Sequence, residues 1–411
     1  MGKLAVADEH LWQYCKQFNP PKGYVAGLIV GQPSKATDYV VRLGRIPIPL
    51  SVLKEHGKKP SEVYGLSLAE INESWVSVHA VDVTKMLHGG MWVLGLFLIG
   101  QSDPFENQQN CSRLRTILRH MRTELKKIPL LYGDSPSSEK IVLYMNPQKN
   151  LVACRSIDLD GSSMRPMDWK FQKNAVSWTQ IDSILDVQHV VHLKKEDSSK
   201  QIRNELKMLL DGISKQVQES VCTLSNQLLG PDELVENIFK KQKGKSGKKT
   251  KGGGDDEPNK NVIANLYMPL TGESSVKSPS GVEVNNGYGI FYFVGGPVSR
   301  VFVNQKATVE EACQAVKQDI IRSIYVRLNM HSDSLVEDDD SGSRETFHEP
   351  PRRVMIKLPA TNVSVSDYLY PGEGPEDALN SFQELFDLKL EIDDVELDVE
   401  MPAGKIILNP C

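Results

Sequence analysis

Residues 91–100, MWVLGLFLIG, are the most apolar run in the chain and leave it few ways to fold. The run is about half the roughly 20 residues a helix needs to cross a bilayer. Gly89 and Gly90 introduce it, and Gln101, Ser102, Asp103 and Pro104 end it. An uncharged run bounded by Gly and Pro reads as a central strand buried on both faces.

The flanking sequence supplies what such a strand needs. Residues 24–31, YVAGLIVG, are a second buried-strand candidate, and 39–43 pair with it across the turn-rich 32–38. A short helix is expected over 8–18 and another over 68–87, where Ile71, Trp75, Val78, Asp82 and Met86 fall near 3.6 spacing. Residues 109–127 form an amphipathic helix with Leu114, Ile117, Leu118, Met121 and Leu125 as its stripe. Residues 140–145 and 151–157 read as a hairpin around Asn146 and Pro147, 165–171 as a loop with two aromatics, and 184–193 as a strand. The sum is an α/β domain over 1–195.

A long amphipathic helix is expected next, over 200–229 within a segment 196–239. Ile202, Leu206, Leu209, Ile213, Val217, Val221, Leu224 and Leu228 recur at three- and four-residue steps. The stripe either packs across its own domain or faces a partner in a bundle. On the second reading Leu206, Leu209, Ile213, Val217, Val221 and Leu224 are the candidate partner-binding residues. Residues 240–260 are rich in Lys and Gly and read as a flexible linker. The rest, 261–411, is expected to be an α+β module. It has strands over 261–269, 281–293, 298–304 and 353–358, and helices over 308–328 and 375–388. An acidic loop spans 333–345, and 391–400 form an acidic tail.

Composition narrows the function classes. A formal charge of −5 gives no whole-protein case for nucleic-acid binding, and the lysines of 240–251 carry no interleaved aromatics and run straight into acid. The 6 cysteines are scattered with no CxxC pair, which argues against a zinc knuckle or disulfide framework and for a reducing compartment. Asp8 and Glu9 interrupt any signal-peptide core, and no transmembrane segment is expected. GxSxG, HExxH, Walker and Rossmann patterns are absent. Cys154 reads as a buried hairpin thiol rather than a nucleophile. His79 and His88 fall on opposite helix faces, and His189 and His192 on opposite strand faces, so neither pair suggests a shared metal. Trp169 and Trp178 read as core aromatics. No catalytic, cofactor-binding or metal-ligating residue is assigned, and no cofactor is expected.

The strands at 25–31 and 93–97, with a helix between, resemble the two hallmark strands of MPN-type domains, whose active members are zinc isopeptidases. Those enzymes need a Glu on the first strand to handle the proton of zinc-bound water, and His-x-His at the end of the second to hold the metal. Tyr24 stands at the Glu position here, and Leu98, Ile99 and Gly100 at the His-x-His positions. The resemblance therefore implies an MPN-like domain without catalysis.

A sharper likeness covers about 24–370. It rests on Gly27 to Gln32, Trp75 to His79, Lys85 to Gly90, Val93 to Gly95, Arg165 to Lys170, Ala315 to Ile320, Arg353 with Val354, Leu358 with Pro359, and Asp367 with Tyr368. In these stretches the chain resembles the odorant-response-abnormal family. The resemblance implies a non-enzymatic adaptor that binds the ubiquitin-fold-modifier-specific cysteine peptidase, as a heterodimer, at the cytosolic face of the endoplasmic reticulum. It also implies a link to folding and export of heptahelical receptors. Family members typically end in a hydrophobic anchor, whereas this sequence ends Asn409, Pro410, Cys411, which leaves membrane attachment open. Two alternatives stand beside the adaptor: a receptor-trafficking chaperone acting alone, and a zinc isopeptidase with ligands elsewhere.

Overall fold

The computed structural model describes residues 3–59, 63–135, 137–161, 163–193, 198–243, 261–269, 289–334 and 349–400. In chain order the elements begin β1 (Leu4–Asp8), α1 (Glu9–Cys15), β2 (Tyr24–Gln32), β3 (Thr37–Arg45), α2 (Leu50–Glu55), α3 (Glu73–Met86) and β4 (Trp92–Gly100). They continue α4 (Gln108–Lys126), α5 (Pro129–Tyr132), β5 (Glu139–Asn146), β6 (Leu151–Asp158), β7 (Met164–Pro166), β8 (Asp168–Gln172), β9 (Trp178–Ile184) and β10 (Val187–Leu193). The remainder is α6 (Ser198–Glu219), β11 (Val221–Leu224), α7 (Glu236–Lys243), β12 (Asn261–Tyr267), β13 (Gly289–Gly295), β14 (Val298–Asn304), α8 (Val309–Ser334), β15 (Arg352–Lys357), β16 (Ser364–Leu369), α9 (Pro375–Phe386) and β17 (Val395–Glu396). The described chain is α/β. Most of the expected linker 240–260, most of the acidic loop 333–345, and the start of the strand expected at 281 lie outside the described residues.

Every residue of β4 is buried, as its uncharged sequence requires. β2 pairs with it antiparallel on one side, Tyr24 opposite Gly100, and β5 pairs parallel on the other, Gly95 opposite Ile141. The β5–β6 hairpin turns around Asn146 and Pro147, with Asn146 opposite Leu151. α4 buries the predicted stripe of Leu114, Ile117, Leu118, Met121 and Leu125. α3 begins later than its periodicity suggested, because Asn72 caps it with side-chain bonds to the amides of Ser74 and Trp75.

The sheet has eight strands in the order β7-β6-β5-β4-β2-β3-β1-β8. Its two edge strands, β7 and β8, are separated by the single residue Met167, whose amide bonds the Cys154 carbonyl of β6. The chain therefore passes from one edge of the sheet to the other through one residue, which requires the sheet to curl. The stretch 165–171, expected as a loop, makes this passage. Pro166 pairs with Arg155 on one edge, and Asp168 to Gln172 pair parallel with Leu4 to Asp8 on the other. β1 itself was missed because four apolar residues at a chain end give no period to read.

The boundary expected at residue 195 does not separate two cores. β9 leaves the first region to sit inside a second sheet, β11-β12-β9-β14, parallel to β12 and antiparallel to β14. β10 likewise pairs with β13. In return β15, β16 and α9 send Val354, Ile356, Val365, Phe382 and Phe386 back into the first core. The chain thus crosses twice between its cores.

The expected helix 200–229 is also corrected. α6 stops at Glu219, and 221–224 run as a strand against β12. Lys317 of α8 ends the helix by donating its ammonium to the carbonyls of Gln218 at 2.9 Å and Ser220 at 2.7 Å. The even spacing of Val221 and Leu224 imitated another helical turn. The partner-facing reading of the stripe is corrected with it. Leu206, Leu209, Ile213, Val217 and Leu224 lie buried in the second core against α8, while Val221, 53% exposed, stands on the strand. The stripe packs against its own chain because α8 offers an apolar face of matching length. Among the described residues no helix is long and apolar enough to cross a membrane.

If the stripe is core, Ile213→Ala costs about 2–5 kcal/mol of unfolding free energy, whereas Met208→Ala on the outer face of α6, 66% exposed, changes it by under about 0.5 kcal/mol. Urea titration checks both, and equal effects would place the stripe outside the core.

Candidate functional site

α8 joins the two cores, packing apolar side chains into the second and bonding the first region through polar ones. A capping box starts it: the Glu311 amide donates to Thr308 Oγ1 at 3.2 Å and the Thr308 amide donates to the Glu311 carboxylate at 2.9 Å. Val309, Ala312, Val316, Ile320 and Ile324 pack into the second core. Gln318, Asp319 and Arg322 leave the helix on the other side and meet the turn between α3 and β4.

Within that turn, Leu87 to Met91, the Met91 amide bonds the His88 carbonyl at 3.2 Å, and side chains of α8 take up the amides of both glycines. The Gly89 amide donates to Asp319 Oδ1 at 2.9 Å and the Gly90 amide to Gln318 Oε1 at 2.9 Å. Arg322 donates to the carbonyls of Leu131, Leu87 and His88 at 2.8, 2.8 and 2.9 Å. The two glycines are required by the closeness of this approach. A Cβ on Gly89 would sit 1.9 Å from the Ala315 carbonyl oxygen, and Gly90 has φ +80°.

Arg353 of β15 completes the cluster. It grips both Asp319 oxygens at 2.7 and 2.9 Å and also donates to the Val298 carbonyl, Ser366 Oγ and His88 Nδ1 at 2.9, 2.8 and 2.9 Å. Those five bonds use all five of its N–H groups. Gln32 of β2 does the same service nearby. Its amide nitrogen bonds the carbonyls of Gly90 and Phe302, and its oxygen accepts from the backbone and side-chain nitrogens of Asn304.

The charge states follow from these partners. Burial pushes the Asp319 carboxyl up, but Arg353 outweighs it and holds the group well below the usual carboxylate range. Burial works against the Arg353 charge too, and Asp319 again outweighs it. Burial lowers His88 to about 4 against the pull of Asp319, so the ring is neutral at pH 7. Because a guanidinium only donates, His88 Nδ1 is the acceptor and Nε2 carries the proton, 3.1 Å from Ser364 Oγ.

Ser364, His88 and Asp319 thus stand in the order of a hydrolase triad, with His88 Nδ1 3.4 Å from Asp319 Oδ1. Their chemistry is blocked. Arg353 occupies the edge of the ring that would face the carboxylate, the Nε2 proton leaves no base for the serine, and all three residues are buried. The order of groups matches a triad, but the protonation and access do not.

Tyr24 and Gly100 are opposed across β2 and β4, with Leu98 and Ile99 buried beside them, and the Tyr24 hydroxyl lies 3.1 Å from Ser102 Oγ. Among the described residues no group of three His, Cys, Asp or Glu could hold a metal ion. Cys154 is buried, and burial pushes its thiol up, away from a nucleophile's range. His79 lies on α3 with a neutral ring lowered to about 4 by burial. Trp178 is core, whereas Trp169 is half-buried beside Phe171. None of the stripe residues of α6 joins the polar cluster.

Asp319, Arg322 and Arg353 are not legible as a set in the sequence. The available signal was a pair of opposite charges three apart, Asp319 and Arg322, flanking the apolar Ile320 and Ile321.

A model of the family described as odorant response abnormal 4-like matches residues 27–397. Protein odr-4 homolog of Mus musculus is 27% identical over 98% of this chain and 87% of its own length, and that of Homo sapiens 27% over 97% and 86%. Odorant response abnormal protein 4 of Caenorhabditis elegans is 21% identical over 87% of this chain and 71% of its own length. Among solved structures, UfSP from C. elegans aligns over 95% of this chain and 57% of that one, with a TM-score of 0.45 and 9% identity. At that score the likeness is too loose to establish a shared fold.

Three outcomes test the cluster. Asp319→Asn leaves Arg353 buried without its counter-charge and should cost about 3–5 kcal/mol in urea unfolding; a loss below about 1 kcal/mol would contradict the pairing. The folded pKa of His88 lies below its unfolded value near 6.5. The unfolded chain therefore binds more protons, and stability present above about pH 6.5 is lost as the pH falls toward 4, with Asp319 adding its loss lower still. Stability unchanged between about pH 7.5 and pH 5 would contradict a neutral buried His88. Finally, a fluorophosphonate probe should leave Ser364 unlabelled in the folded protein, and labelling there would reopen the triad.

Proposed function

This chain belongs to the odorant response abnormal 4-like family, and we propose that it works as a non-enzymatic scaffold that docks the ubiquitin-fold-modifier-specific cysteine peptidase. The proposed place of action is the cytosolic face of the endoplasmic reticulum, with folding and export of receptors as the downstream role. The relatives carry no enzyme names, and the worm protein is named for an odorant response. An inactive MPN-like core is part of the same proposal, since apolar Leu98 and Ile99 cannot ligate zinc.

One observation carries the reading. Three of the stretches that carry the family likeness, Lys85 to Gly90, Ala315 to Ile320 and Arg353 with Val354, converge on a buried polar cluster with no access for a substrate. Residues spent on holding a shape suit a protein whose work is done at its surface. The α6 stripe is not that surface.

Size-exclusion chromatography of the purified chain with the peptidase at micromolar concentration should give one peak at 1:1. Separate elution would overturn the scaffold reading. Stoichiometric zinc in the purified protein would favour the isopeptidase instead, and restored receptor export in cells lacking the peptidase would favour a chaperone acting alone.

A further inference from the structure

A groove crosses the outside of the first core between α2, α3 and α9, with a volume of about 450 Å³. Ile48, Leu53, Trp75 and Leu385 line it, and Leu50 on α2 and Val78 on α3 stand at its borders, 61% and 62% exposed. Single exposed apolar residues are ordinary on a protein surface. Two of them beside one concavity, with a half-buried Trp between, are not scattered.

The groove is preformed. The C-terminal end of α9 is fixed by Arg42, which donates to the carbonyls of Phe386 and Asp387 at 2.9 and 3.2 Å. Tyr14 and Arg45 bond the two Asp387 carboxylate oxygens at 2.7 and 3.0 Å. A site whose walls are already held loses little ordering entropy on binding.

The α9 wall of the groove is acidic, whereas the other charged lining residues are Arg45 and Asp82. α9 and its cap carry Glu376, Asp377, Glu384 and Asp387 and no Lys or Arg. Arg45 is matched by Asp387 and Asp82 by Lys85, whereas Glu384 is exposed with no ion-pair partner among the described residues. A second hollow continues the groove along α9 past Asn380, Gln383 and Glu384. His79 completes the lining. It is 6% exposed, its Nε2 has no hydrogen-bond partner, and its buried ring is neutral, so it adds no positive charge.

We propose that this groove docks a cationic amphipathic helix of a partner protein, its apolar face seated over Trp75 between Leu50 and Val78 and its Lys or Arg side chains lying along α9. This is helix-in-groove recognition, in which apolar anchors at i, i+3 or i+4, and i+7 fill the hollow and flanking charge sets the orientation. An anionic helix meets Glu384 and its neighbours as like charges. The proposal holds whichever protein supplies the helix, so it stands apart from the peptidase reading.

The test uses the full chain and two labelled peptides of about 18 residues, one a Leu/Lys amphipathic helix and one its Leu/Glu counterpart, followed by fluorescence anisotropy. The Leu/Lys helix should bind at micromolar Kd and the Leu/Glu helix at least about tenfold more weakly. Val78→Asp and Glu384→Lys should each weaken Leu/Lys binding about tenfold or more with an unchanged melting temperature, since both side chains are exposed. Ile263→Asp, on the exposed face of the second sheet, should leave binding as it is. Equal affinity for both peptides, or binding indifferent to Val78→Asp, overturns the proposal. Dimerisation of the chain itself that Val78→Asp abolishes assigns the groove to a second copy and overturns it too.

Discussion

The pairing of Asp319 with Arg353 is the interaction on which the rest of the structure depends. Two opposite charges are held where neither reaches water. Desolvation of such a pair costs several kcal/mol per ion, and attraction alone seldom offsets it. Here the remaining bonding capacity is also used. Asp319 accepts from the Gly89 amide, and Arg353 donates to Val298, Ser366 and His88 besides its two bonds to the carboxylate. A buried pair of this kind adds little over a well-packed apolar pair. What it fixes is register, because a slip of α8, β15 or the glycine turn would break bonds to one or both buried charges.

The topology explains why register matters. β9 and β10 leave the first region for the second, and β15, β16 and α9 return. α8 lies between the cores with one apolar face and one polar one. A shift of α8 by one residue would break the Gly89 and Gly90 bonds and turn Asp319 away from Arg353. The same locking disarms a Ser364, His88, Asp319 arrangement that sequence order alone would never bring together. The interior is thereby committed to holding shape, and contacts with other molecules fall to surfaces such as the acidic, Trp75-lined groove along α9.

Much of the first core was legible in the sequence, and the reason is local. β4 is apolar end to end, α4 repeats its stripe without interruption, and the β5–β6 hairpin turns at Asn146 and Pro147. The misses came where tertiary partners decide. Val221 and Leu224 keep a helical spacing, yet Lys317, distant in sequence, ends α6 before them. Residues 165–171 look like a loop until the two edges of a curled sheet claim them. The polar cluster was legible only as a family likeness. Its members are scattered from Gln32 to Ser366, and nothing short of the fold puts them together.

By tying α8, β15 and the glycine turn together, the buried cluster is expected to make the two cores one cooperative unit. Native-state hydrogen exchange read by mass spectrometry tests it most directly, by comparing amides of β4 in the first core with amides of α6 in the second. Exchange from both should report the same opening free energy, and Asp319→Asn should lower both together. Exchange in α6 at several kcal/mol less than in β4, or an Asp319→Asn effect confined to one core, would contradict it.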